Sequence, residues 1–141
     1  MAASNSAGVR FSDVDAAILY SIPKPGVSLP ELLRYYTFIN RIAVPSYEVL
    51  ADCLSKSVAA GVVRLPRRRE YSLEDRWYEY IHQFDGRTDN EIESMLAFQE
   101  LFLANDWPAV IDGKRYTLER AEYDRAVSEH QKHRDSLLRG R

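Results

Sequence analysis

PSYEVLADCLSKSVAAGVVRLPRRREYSL, residues Pro45 to Leu73, is the stretch whose reading decides the fold. Ser46 stands where a helix N-cap is wanted, and Glu48 falls in the first turn, at the positive end of the helix dipole. Pro45 keeps the preceding segment from entering as helix. Val49, Leu50, Cys53, Leu54 and Val58 recur at helical spacing and form one apolar stripe. Gly61 follows the last turn, the usual place of a left-handed C-cap. Val62 and Val63 then switch the period to that of a strand. Tyr71, Ser72 and Leu73 supply the return strand, with Pro66, Arg67 and Arg68 near the turn. Ser72 with Asp75 has the form of a capping box and predicts another helix.

Upstream, Met1 to Gly8 is expected to be a mobile tail. Ser12 or Asp13 caps a first helix, Val14 to Ile22, with Val14, Ile18, Leu19 and Ile22 inward. Pro23, Pro25 and Gly26 end it. Ser28 caps the next helix, with Pro30 and Glu31 in its first turn and Leu29, Leu32, Leu33, Tyr36 and Ile39 on its buried side. Asn40 to Val44 is the turn, plugged by Ile42 and Val44.

Downstream, Glu74 to Phe84 is predicted helical, with Trp77, Tyr80, Ile81 and Phe84 inward. Asp85-Gly86 breaks it, and Thr88 with Glu91 is a second capping box for a helix through Ala104. That helix is apolar on more than one face, so it is either sandwiched in the fold or half-buried in a partner. Trp107 and Pro108 lie in the next loop. Asp112-Gly113 signals a hairpin between Ala109–Ile111 and Lys114–Tyr116. Thr117 caps a last helix to about Leu138, with a narrow seam of Tyr123, Val127, His130 and Leu137.

The order helix, Gly-Val-Val, basic hairpin, Tyr-Ser-Leu, helix resembles the second half of a winged helix-turn-helix domain, as in many small bacterial transcription regulators. The likeness covers roughly Val14 to Phe84. The spacing Ile39-Asn40, Val44-Pro45-Ser46, Ala60-Gly61 is also similar to that of small uncharacterised bacterial winged-helix proteins. The resemblance implies that the helix ending Ala59-Ala60-Gly61-Val62-Val63 is a recognition helix and the hairpin a wing. The expected fold is mainly α with a small β-hairpin: a winged helix-turn-helix domain over 10–85 and a helix–hairpin–helix extension over 86–141.

With 141 residues and 45% apolar content, the chain is long enough to bury a core. Net charge is −2 and the isoelectric point about 5.9, unlike a dedicated nucleic-acid coat protein. Residues 1–85 carry equal numbers of basic and acidic side chains. The single cysteine, Cys53, excludes an intrachain disulfide and sits on an apolar stripe, as a buried structural thiol does. No stretch has the length of a membrane span and no signal-peptide core is present, so a cytoplasmic setting is expected.

Double-stranded DNA is the first expected partner. Arg64, Arg67, Arg68 and Arg69 lie on the hairpin, where guanidinium groups meet phosphates or a minor groove. Ser55 and Lys56 suit phosphate, and Ser46 and Tyr47 suit the groove. Against this, edge hairpins carry charge merely to stay soluble, and Glu48 and Asp52 share the helix face with Lys56. A homodimer through 91–104 and 118–138 is expected with DNA binding. The alternative is a winged helix that contacts protein and no DNA, which the acidic helix face favours. Arg34, Tyr35, Tyr36 and Arg41 add charge and aromatic surface, with both tyrosines read as core-edge residues. His130 and His133 have a zinc-like spacing beside Glu129, but no third ligand is evident, and two ordinary histidines on a solvated helix is the reading preferred. No phosphate loop, nucleophile elbow or HExxH is present. No enzyme activity, metal or cofactor is therefore expected.

Overall fold

A computed structural model describes residues 10–40, 43–64, 66–67, 69–85, 91–104 and 115–139. The protein is mainly helical with a small antiparallel sheet. The helices are α1 (Asp13–Tyr20), α2 (Leu29–Asn40), α3 (Tyr47–Ala59), α4 (Asp75–Asp85), α5 (Glu91–Leu103) and α6 (Arg120–Arg139); the strands are β1 (Val27–Ser28) and β2 (Glu70–Tyr71).

Local chemistry sets the ends of the first three helices. Ser12 and Asp15 form a reciprocal capping box at α1: the Asp15 amide donates to Ser12 Oγ at 3.2 Å, and the Ser12 amide to Asp15 Oδ2 at 2.8 Å. Ser28 and Glu31 repeat the device at α2, with the Ser28 amide and hydroxyl donating to Glu31 Oε1 at 3.1 and 2.9 Å. These donors hold the Glu31 carboxyl below the usual carboxylate range. Ser46 caps α3 by accepting from the Val49 amide at 3.2 Å. After α3, Gly61 takes φ 78° and the Val62 amide turns back to the Ser57 carbonyl at 2.8 Å, which satisfies a terminal carbonyl.

The chain then enters the ladder. Val63 bridges Leu73, and Val27 and Ser28 pair with Tyr71 and Glu70. The return segment therefore lies between β1 and Val62–Arg64. Gly26 permits the close approach: at φ 144° a Cβ there would stand 2.9 Å from the Tyr71 carbonyl oxygen. β1 is an element the sequence reading lacks. It has two residues and lies in a Pro/Gly-rich run without alternation.

One hydrophobic cluster joins α1, α2 and α3 to α4, α5 and α6. α1 is central, with Ala16, Ile18 and Leu19 fully buried. α5 packs on α1 and α4. Its Phe98 and Phe102 rings stack at 5.5 Å, and both meet the Trp77 ring edge-on. Of the two readings of this two-faced helix, burial within the fold accounts for Met95, Phe98 and Phe102. Leu96 remains 53% exposed.

Several local expectations are corrected. Val14 and Val49 are exposed: α1 buries every residue from Asp15 to Tyr20 but leaves its first turn open, and α3 turns inward only Leu50, Cys53, Leu54, Ser57 and Val58. Tyr80 is exposed too, and its neighbour Tyr78 is buried instead. The Tyr78 hydroxyl accepts from the Leu73 amide at 3.0 Å and donates to the Pro23 carbonyl at 3.3 Å. Ser72 does not cap α4; its hydroxyl donates to the Leu73 carbonyl at 3.2 Å. α6 starts at Arg120, beyond the expected Thr117 cap, and Arg115 and Tyr116 are not strand. The tail Met1–Gly8, Arg41, Ile42, Thr88, Trp107, Pro108 and the Asp112-Gly113 hairpin lie outside the described residues.

Candidate functional site

The face expected to read DNA is built from α3 and the hairpin after it. Ser46 is exposed and its hydroxyl is the helix cap. Tyr47 turns toward α6, where its hydroxyl donates to the Leu118 carbonyl at 2.6 Å and its ring meets Tyr123 edge-on. Tyr123 answers by donating to the Pro45 carbonyl at 2.6 Å. The hydroxyls of Tyr71 and Tyr116 also hydrogen-bond to each other. The three hydrogen bonds fasten the start of α6 and the segment leading into it onto the first half of the chain.

Lys56 lies with its ammonium 2.6 Å from Asp15 and 2.9 Å from Asp52. Partial burial pulls its pKa down, but the hydrogen bonds and charges of the two carboxylates outweigh that and leave it raised. It is a fixed cation with fixed counterions, set over the Phe11 ring at 5.4 Å. Cys53 sits fully buried beside it, and burial with the nearby Asp15 charge pushes the thiol well up, so it is inert at neutral pH.

Arg64 at the hairpin's root is half-exposed and pairs with Asp75 at 2.9 Å and Glu74 at 3.6 Å. Arg67 opens, and Arg69 lies within, the tight turn closed by the Glu70 amide on the Arg67 carbonyl at 3.0 Å, and both are exposed. Arg69 holds a left-handed backbone, φ 63°. Arg68 lies outside the described residues. What α3 presents to solvent is Glu48, Val49, Asp52 and Ser55. The structure thus places Ser55 and Lys56 on α3 and Ser46 at its cap, but neutralises Lys56 and turns Tyr47 away.

A second surface lies between α2 and α6, a groove of about 700 Å³. Val44 and Val127 are half-buried in it, while Phe38 and Leu137 stand 72% and 60% exposed. Arg34, Arg134, His130 and His133 supply much of its polar side, and none of the described residues lining it is acidic. His130 Nδ1 is buried without a hydrogen-bond partner. Burial, then the charges of Arg134, His133 and Arg34, lower the His130 pKa and favour its neutral form. Sequence reading found the α6 seam of Val127, His130 and Leu137, but not that Phe38 and Arg34 on α2 face it. A signal for this was Phe38 four residues after Arg34, one turn along the same helix face and off the stripe of Leu29, Leu32, Leu33, Tyr36 and Ile39.

Among the described residues no cluster of three His, Cys, Asp or Glu side chains is arranged to hold a metal ion, and no helix is long and apolar enough to cross a membrane. Comparison of the chain with protein-family models, with curated proteins and with solved structures finds no match.

Proposed function

We propose that the protein is a winged-helix module whose task is contact with another protein, not the reading of duplex DNA. The order α1, β1, α2, α3, hairpin supports the winged-helix reading, as does the pairing of β1 with the return segment. One observation carries the choice of partner class. The described cations of α3 and the hairpin root are held by the chain's own carboxylates, Lys56 by Asp15 and Asp52, Arg64 by Asp75 and Glu74. Duplex affinity comes chiefly from cations that exchange counterions for phosphates. Cations locked in internal pairs release few counterions, and the carboxylates that lock them keep this face from becoming net positive.

The test is fluorescence anisotropy of a labelled random-sequence duplex at low and at moderate salt. The expected result is no saturable binding in the micromolar range at low salt. Micromolar binding that falls steeply with salt and is lost on joint replacement of Arg67, Arg68 and Arg69 by Ala overturns the proposal and restores the wing as a DNA contact.

A further inference from the structure

We infer that the α2–α6 groove receives an amphipathic helix with an acidic rim, contributed by another protein. The inference rests on the protein-docking reading above and names the partner's chemistry.

Shape comes first. On α2 the groove uses Arg34, Thr37 and Phe38, which share one helix face, and on α6 it uses Val127, His130, Arg134 and Leu137, which share another. Val127 to Leu137 spans about 15 Å of helix at 1.5 Å per residue. An open groove of that length matches about three turns of a docked helix, the helix-in-groove mode of recognition. Phe38 and Leu137 are the apolar residues such a helix would cover, and large exposed apolar side chains lining one groove mark contact sites.

Charge selects the helix. The chain as a whole has more acidic than basic residues, yet the described residues lining the groove include two arginines, two histidines and no carboxylate. Arg34 has only a loose ion pair, 3.8 Å to Glu31, with both side chains nearly half-exposed. Arg134 forms no ion pair among the described residues. Since His130 is driven toward its neutral form, the guanidinium groups carry the groove's permanent charge at neutral pH. A helix with leucines on one face and glutamates at its edges offers carboxylates to Arg34 and Arg134 and an apolar face to Phe38 and Leu137, whereas a lysine-edged helix is repelled. A free arginine paired through fork geometry favours carboxylate partners over neutral ones.

The test uses the full chain and two fluorescein-labelled helical peptides with the same leucine face, one edged with glutamate and one with lysine. The expected result is binding of the glutamate peptide at least tenfold tighter than the lysine peptide. Arg34→Glu combined with Arg134→Glu should reverse that preference, and Phe38→Ser should weaken the glutamate peptide about tenfold. All three positions are at least partly exposed, so the variants are expected to fold, and circular dichroism checks this. Equal affinity for both peptides, no binding of either, or unchanged affinity in the Phe38→Ser chain overturns the inference. So does sedimentation showing a dimer that Phe38→Ser dissolves, since a second copy then fills the groove. Failure of both peptides with no duplex binding removes this partner chemistry alone, whereas micromolar duplex binding removes the protein-docking reading beneath it.

Discussion

On the α3–hairpin face, Lys56 is held by Asp15 and Asp52 and Arg64 by Asp75 and Glu74; in the α2–α6 groove, Arg34 has a loose contact with Glu31 and Arg134 forms no ion pair among the described residues. Both regions are rich in basic side chains when read along the chain. At α3 and the hairpin root a carboxylate from another element meets the cation; in the groove none does, and at the hairpin turn Arg67 and Arg69 likewise form no ion pair among the described residues. Lys56 and Arg64 show that a basic side chain read along the sequence is a charge and not yet a potential. The potential is set by tertiary partners, some of them distant in sequence, as Asp15 is from Lys56.

The comparison presupposes that one core carries both faces. Phe98→Ala tests this with the largest expected effect. Phe98 is fully buried against Phe102, Trp77 and Tyr20, so its removal should cost about 3–5 kcal/mol in urea unfolding. A loss below about 1 kcal/mol would mean that α5 packs elsewhere.

Next comes Asp15→Ala, which removes the Asp15 half of the α1 capping box and the inner counterion of Lys56. The expected loss is about 2–3 kcal/mol, less than for a fully buried pair because Asp52 remains and Lys56 is partly solvated. A neutral effect would show that Lys56 is in fact free, and would reopen the DNA reading.

Alkaline pH probes the same contacts together. Burial raises the Tyr71, Tyr78 and Tyr116 pKa values above the ordinary 10.0, and the paired carboxylates leave Lys56 raised above 10.5. For each group the folded state keeps its proton longer than the unfolded chain does, so this stability is complete below the unfolded value and is lost as pH rises through the folded one. Stability should therefore be flat from pH 7 to about 9.5 and fall beyond it. A melting temperature unchanged at pH 11 would contradict the buried tyrosine contacts.

Tyr47→Phe should cost about 1 kcal/mol through the lost bond to the Leu118 carbonyl, and no measurable loss would place Tyr47 back in solvent. The smallest effect is expected from Arg69→Gly. Relief of the left-handed backbone, offset by glycine's entropy, should raise stability by about 0.5 kcal/mol. A clear loss would show that the Arg69 side chain makes a contact of its own.

Much of the first half was legible because its signals are local. Ser46, the α3 stripe, Gly61 and the Val63–Leu73 pairing follow from capping, period and turn chemistry within a few residues. The Asp52–Lys56 pair was legible too, from its spacing of four. What escaped depends on distant partners. Tyr47 at a helix start looks available until Leu118 and Tyr123 arrive from seventy or more residues on. Asp15 resembles any first-turn acid until α3 packs on α1. β1 is too short to show a period, and it exists because Tyr71 offers it an edge. The groove needs α2 and α6 side by side, which neither helix encodes alone.

The most direct test of the contrast between the two faces is an amide ¹H–¹⁵N spectrum of the labelled chain, titrated in parallel with the glutamate-edged peptide and with the random duplex. The account predicts peptide-induced shifts clustered on residues 34–38 and 127–137, and no saturable duplex-induced shifts on α3 or the hairpin. Duplex-induced shifts running through Tyr47–Ala59 and on to Arg67 and Arg69, with the groove silent toward the peptide, would contradict it.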